Sequence, residues 1–550
     1  MKTSFIELKG RERAEALLDN NTFREILNPF DRIESPHLAA QGIVPESDDG
    51  MIISKGTING ENVVILSIEG AFQGGGIGEV SGSKIAGTLE RVLIDNQQGK
   101  KVIPIIIFDT GGVRLQEANY GLMIISEIQS AIVALKPHVP VIGLIPGNVG
   151  CFGGMSITAA LCSHLIITET ARYGLNGPEV IEQEAGIGEL NSHDRRLIWD
   201  TIGGQSRYET GLADELVEDD ITAFKNAIIQ AMTPSKTVPR TQNIGHFLSL
   251  LSRYDLSKKN TKTDVVELIA KGDKPVNFHL EDKPAPGRGR SWFGILTGNA
   301  PSISEYPSVL VADVNLEGKK TRFIAVVTNQ ANSFYRARNG EVGLLEGWAI
   351  AKYVRQAIEE DASMDIKRNI VAVIDTPSQA YGYNEELLGI HNSCAAGVDA
   401  YSSARNAGHA VTGIIVGNAI SGAFLTHGLQ SSRLIAINDP GINVQAMSKQ
   451  SAARITKRTI AELDQATKAV PAMAYDVVSF NSLGALDALL SISNLENPSS
   501  EDINTVKSAL IEAVKNSDGT LKRRLETPQA LDKGRVYSRL VRSKIAEQWD

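Results

Sequence analysis

Short apolar runs recur along the chain, each closed by a turn and followed by a segment with apolar residues spaced three to four apart. VIPIIIF (residues 102–108), VIGLI (141–145) and NIVAVID (369–375) are nearly unbroken in hydrophobicity. A strand covered on both faces reads this way, so these runs predict parallel sheet beneath helices. Two hairpins precede them. MIISKGTING turns at Asn59 and Gly60 into NVVILSIEG, and SVLVADVNLEGKKTRFIAVVTN turns at residues 317–319. Residues 4–28 carry helical spacing through Leu8, Ala14, Leu17, Leu18 and Phe23, ended by Pro29, and read as a docking arm. A glycine loop at Gly74, Gly75, Gly76 and Gly78 opens a helix through Lys84 and Leu89. Residues 189–220 form a charged helical region, and from Ser500 the charged helical runs read as peripheral.

The pattern repeats itself. In the first half a strand ends at Asp109 and Thr110, turns, and leads into a helix; in the second the same order runs through Asp375 and Thr376. A second junction, a strand meeting glycines at a helix start, occurs at residues 141–161 and again at 411–427. Gly147 and Asn148 pair with Gly417 and Asn418, Leu165 and Ile166 with Leu434 and Ile435, and Gly153 and Gly154 with Gly422 and Ala423, at one residue of slippage. The reading is an internal duplication. It divides the chain into an N-terminal domain at 1–235, a linker at 236–285 containing Pro239, Pro275 and Pro284, with Pro234 just before it, and a C-terminal domain at 286–550.

Without a Cβ at Gly153 and Gly154, a ligand can approach backbone amides at the positive end of a helix. Two amides converging on one oxygen form an oxyanion hole; the same turns also serve simply to pack helix on strand. Composition narrows the remaining choices. The net charge of −9 offers no basic footprint for nucleic acid. Fifty glycines and 5% aromatic residues suit an interior of small side chains with close backbones. Cys151, Cys162 and Cys394 form no CxxC or zinc spacing, so no metal site is expected and a reducing cytoplasm fits. The first residues mix charges where a signal peptide needs an apolar core, and the apolar runs are strand-length, so neither export nor a membrane span is expected.

The loop at Gly74 fits neither nucleotide fingerprint. Glu79 stands where a Rossmann glycine is needed, and Lys84 is followed by Ile85 rather than Ser or Thr, which leaves Lys84 a weak phosphate candidate. Arg114 suits a carboxylate or phosphate, or else pairs with Glu117. Cys151 lacks a legible His partner, His427 reads as a satisfied interfacial imidazole, and Ser421 lacks a GxSxG elbow.

GGGIGEVSGSKI (74–85), DTGGVRLQE (109–117), GCFGGMS (150–156) and GLNGPEVIE (174–182) together resemble the carboxyltransferase branch of the ClpP/crotonase superfamily. ELKGRERAEALLDNNTFREIL near the start, with GRGRSWFGILTG, DTPSQAYG and SGAFLTHGLQSSRLIAINDPGINVQAMSKQSAARIT in the second half, resembles the β and γ subunits of malonate decarboxylase fused in one chain. The resemblance implies two tandem crotonase-like α/β domains with the site at their interface. It implies decarboxylation of a malonyl thioester on an acyl carrier protein, the backbone amides of Val113 and Gly154 forming one oxyanion hole and those of Gln379 and Ala423 a second. Gly112, Gly153 and Gly422 would allow the close approach. Carboxyl transfer to a biotin protein, a carboxyltransferase subunit of an acyl-CoA carboxylase, and a non-catalytic assembly role are the alternatives. A four-cysteine zinc motif, a DxPGF turn and a biotin-attachment segment, each found in some relatives, are absent, so no cofactor of its own is implied. The implied partners are the carrier protein with its CoA-like prosthetic group and a malonyl/acetyl transferase subunit, in an oligomer.

Overall fold

The computed structural model describes residues 2–233 and 237–550. The boundary expected at 235/236, with Pro234, lies outside the described residues. Each half is built on a sheet. The first takes β1 (Arg24–Ile26), β2 (Met51–Ile58), β3 (Glu61–Ile68), β4 (Ile103–Ile107), β5 (Ile142–Ile145), β6 (His164–Thr168) and β7 (Glu215–Val217) in spatial order of sequence. The second takes β8 (Val309–Leu316), β9 (Lys319–Val326), β10 (Asn369–Thr376), β11 (Val411–Ile420) and β12 (Arg433–Ile437), with β13 (Val444–Gln445) beside β11 and β14 (Ala488–Leu490) beside β12.

Both sheets enter through an antiparallel hairpin and continue parallel. The hairpin turns share one conformation, with left-handed φ of 52° and 79° at Asn59 and Gly60 and of 47° and 82° at Glu317 and Gly318. Such a pair matches the twist of the flanking strands. The duplication extends to register, since Gly143 opposite Leu165 and Leu144 opposite Ile166 recur as Gly413 opposite Leu434 and Ile414 opposite Ile435. It extends also to a junction not paired from the sequence. Gly78 and Gly343, with φ of −111° and −110°, precede the helices Glu79–Gln97 and Leu344–Glu360.

The halves share one hydrophobic core. Helix Ile390–Asn406 of the second half packs on helices Ala118–Leu135 and Gly153–Leu161 of the first. The segment Leu115–Leu135 is long and apolar enough by composition to cross a membrane, which the strand-length runs had not suggested, and 89% of its window is buried inside the fold. The connection after residue 237 holds the helices Ile244–Arg253 and Lys262–Ala270 and is packed on both halves: Arg240 donates to the Ala160 and Cys162 carbonyls, and Phe247 stacks on Trp348 at 4.7 Å. Two expectations change. The N-terminal helix covers only Gly10–Leu17, because Asn21 is left-handed and residues 24–26 pair with β2. The tail is not peripheral. Helix Val536–Gln548 lies along the Glu79 helix, where Arg535 and Arg542 reach the buried Glu127 and Trp549 donates to Asp95 at 2.8 Å.

Candidate active site

After β4 the chain turns at Asp109, whose Oδ1 accepts from the amides of Val149 (2.8 Å) and Gly150 (3.2 Å) and whose Oδ2 accepts from Arg13 (2.9 Å). One side chain thus ties the two junctions of the first half together. Burial raises its pKa, opposed by the Arg13 charge. The junctions then touch through glycine. Gly112 and Gly153 have φ of +103° and +57°, and a Cβ on Gly112 would stand 3.0 Å from the Gly153 Cα. No side chain fits there.

Hydrogen bonding sorts the amides of these turns. Gly112 N donates to Thr110 Oγ1 (3.0 Å) and Gly153 N to the Leu175 carbonyl (2.9 Å), while the bridge to Ile77 uses the Gly112 carbonyl and the Arg114 amide on either side of Val113. Val113 N and Gly154 N are left with no acceptor among the described residues. Gly154 is the second residue of helix Gly153–Leu161, so the helix dipole adds to its amide.

The second half repeats this arrangement with a difference. Asp375 Oδ1 accepts from Asn418 N and Oδ2 from Gly289 N, both at 3.0 Å. Val342 bridges to the Ser378 carbonyl and the Ala380 amide, which leaves Gln379 N in the position of Val113 N. At the other junction the pairing by sequence is off by one residue. Ser421, at φ +58°, is the counterpart of Gly153, and Gly422 that of Gly154. Thr158 Oγ1 bonds the Gly154 carbonyl at 3.0 Å, and Thr426 Oγ1 bonds that of Gly422 at 2.7 Å, which fixes the register. Ala423 therefore stands one residue deeper than the pairing expected. Gly422 N, unlike Gly154 N, is occupied, donating to Gln379 Oε1 at 3.1 Å.

Val113, Gly153 and Gly154 from the first half and Gln379, Ser421 and Gly422 from the second line one cavity of about 460 Å³ between the halves. Ala423 is not in its wall. The interface is tight, for a Cβ on Gly154 would come within 2.7 Å of Leu425 Cδ1.

Other candidates fall into place as structure. Lys84 is fully buried away from the cavity, donating to the carbonyls of Leu27 and Asp48 (both 3.1 Å), and burial lowers its pKa to about 8. The expected phosphate contact is not met. Arg114 borders the cavity, but its guanidinium is buried against Asp49 (2.6 Å) and Glu117 (3.7 Å) and lies over Phe72, so its charge is already matched. Cys151 is buried and its thiol is pushed well up. His427 is held between Tyr401 Oη (3.0 Å) and the Val373 carbonyl (3.1 Å), and burial brings its pKa down to about 4. Among the described residues no His, Cys, Asp and Glu cluster could hold a metal. Reading the sequence missed Asn176, Tyr381 and Arg172 in the wall. Asn176 sits in the quoted GLNGPEVIE motif, a signal that carried no role of its own.

A family model described as malonate decarboxylase gamma subunit matches residues 337–549. A malonyl-S-ACP:biotin-protein carboxyltransferase of Malonomonas rubra, MADC, is 39% identical over 268 residues, covering 46% of this chain and 84% of that protein. A second of the same description and organism, MADD, is 36% identical over 154 residues, 28% of this chain and 53% of that protein. A chain in the crystal structure of a Pseudomonas malonate decarboxylase hetero-tetramer in complex with malonate is 48% identical, covering 48% of this chain and 97% of that one, with a TM-score of 0.48.

Proposed function

The chain belongs to the carboxyltransferase family of malonate decarboxylases, with β-like and γ-like halves in one polypeptide, and from that premise we propose that it decarboxylates a malonyl thioester on a separate acyl carrier protein to the acetyl thioester. One observation carries the reading: the unpaired amides of Val113 and Gly154 at the wall of a cavity between the halves.

Decarboxylation breaks the bond between the malonyl methylene and its carboxylate. The electron pair passes into an enolate whose charge collects on the thioester oxygen, and CO2 leaves. Two fixed amides at that oxygen act more strongly on the enolate than on the ground-state carbonyl, and one such donor is worth about 3–4 kcal/mol of barrier. The glycines at 112, 153 and 154 serve by letting the oxygen reach the main chain. A proton added to the methylene carbon completes the acetyl thioester. The partners are a carrier protein bearing a CoA-like prosthetic group and a malonyl/acetyl transferase, in an oligomeric assembly of malonate catabolism in the cytoplasm.

The described activity of the 39% identical relative favours a second reading, transfer of the carboxyl group to a biotin protein. Single-turnover release of CO2 from a malonyl thioester carrier, with and without added biotin protein, decides between them. Release without biotin protein supports direct decarboxylation; release that requires it moves the assignment to transfer. Replacing Val113 with Pro deletes its N–H, and an assembly subunit would show full activity of the complex after that change.

A further inference from the structure

The two amide pairs of this cavity differ in one respect that the duplication does not explain. In the first half no described side chain accepts from Gly154 N. The counterpart of Val113, Gln379, only 5% exposed, folds its side chain back over its own amide pair and accepts from Gly422 N through Oε1 (3.1 Å). The orientation of that side chain is forced. Asn176 Nδ2 donates to the Ala380 carbonyl (3.1 Å) and to Glu386 Oε1 (3.0 Å), so Asn176 Oδ1 is left as an acceptor, and Gln379 Nε2 donates to it at 2.8 Å. With its nitrogen committed there, Gln379 has only its oxygen to present to Gly422 N. The support behind it is rigid. Glu386 also accepts from the amides of Leu175 (3.1 Å) and Asn176 (2.7 Å), and fully buried Arg207 lies 3.5 Å from its carboxylate.

We propose that Gln379 determines the fate of the carboxyl group: its side-chain oxygen holds the place in the second amide pair that an oxygen of a carboxyl acceptor would take, and so commits the chain to releasing CO2. The inference rests on the decarboxylation reading above. In release, the methylene–carboxylate bond breaks and solvent supplies the proton to carbon. In transfer, the carboxyl carbon would instead bond a ureido nitrogen of biotin, and the N–H proton lost there would balance the one gained by the methylene. Both routes start from the first amide pair. Only the second needs room at Gly422 N.

The test uses the full chain, malonyl-CoA labelled in its free carboxyl group, and free biotin as the acceptor probe. The wild type is expected to yield labelled CO2 and a trace of carboxybiotin. Gln379→Ala should raise the carboxybiotin share of the product at least tenfold. An unchanged share in Gln379→Ala overturns the proposal, as does a wild type that already passes label to biotin as readily as the variant. Direct binding of free biotin gives a readout that needs no turnover. Gln379→Ala should bind it at least tenfold more tightly than the wild type, and equal binding overturns the proposal. If the wild type produces neither labelled product from malonyl-CoA or from the malonyl carrier, the decarboxylation reading itself fails, and the binding comparison still decides whether Gln379 closes the second pair.

Discussion

Set side by side, the halves of this molecule share a backbone and differ in what the side chains do with it. Both present an aspartate-anchored turn, a bridge that passes over one amide, and a helix start at a left-handed residue. In the first half Gly112 and Gly153 meet back to back and Val113 N and Gly154 N stay unpaired. In the second, Ser421 takes the strained position of Gly153, and a glutamine in place of Val113 closes on Gly422 N. A duplicated backbone supplies the potential for two oxyanion sites. Whether a site is open is decided by one side chain.

The largest expected effect comes from the support of the closed half. Arg207 is wholly buried, donating to the Tyr173 and Glu386 carbonyls (2.6 and 2.7 Å) beside the Glu386 carboxylate, and Arg207→Ala leaves that buried carboxylate its amide donors but not the adjacent positive charge. Removing one partner of such a pair costs about 3–5 kcal/mol, to be read from the urea midpoint of the full chain. Next is Val113→Pro. It should lower single-turnover CO2 release by about 100- to 1,000-fold with the thioester still bound, and a loss under tenfold would mean that the open pair is not the site of chemistry.

A third difference between the halves is acid sensitivity. His427 follows the end of helix Ser421–Thr426 at the register position of Ala159 in the first half, and burial lowers its pKa to about 4 in the fold against 6.5 for the free imidazole. Between pH 6.5 and 4 the unfolded chain takes up a proton that the folded chain refuses, so stability falls as the pH drops through that window, by on the order of 3 kcal/mol. His427→Gln should flatten that part of the urea midpoint against pH; an unchanged slope would assign the sensitivity to other groups. The smallest effect is expected from Lys84→Met. With no contact to the cavity, the substitution should leave KM for the thioester within about twofold, whatever it does to stability.

The sequence made the repeat legible wherever function and packing demanded the same residue. Asp109 and Asp375 each hold a neighbouring turn, and the continuous apolar strands give the parallel order directly. The pairing slipped at Ser421 because a left-handed helix start is ordinarily a sign of glycine, which draws Gly422 against Gly153 and so Ala423 against Gly154. Lys84 and Arg114 look like ligands for a phosphate or carboxylate in a string of letters. Only the fold shows Asp49 against Arg114 and two carbonyls around Lys84. The tail misled for a related reason: an amphipathic helix with many arginines reads as solvated until Glu79, Glu90 and Glu127 are seen beneath it.

That last contact bears on how the molecule is made. Ser538 bonds a glutamate 459 positions earlier in the chain, so the Glu79 helix emerges from the ribosome long before its cover exists. During synthesis the first half carries an exposed apolar face and two carboxylates without their arginines. The second half has to be translated before the first is finished. Fusion of the halves thus does more than fix their ratio: it makes completion of the earlier domain conditional on arrival of the later one, and a ribosome that stops short releases a chain whose amide pair is formed on an unsealed scaffold.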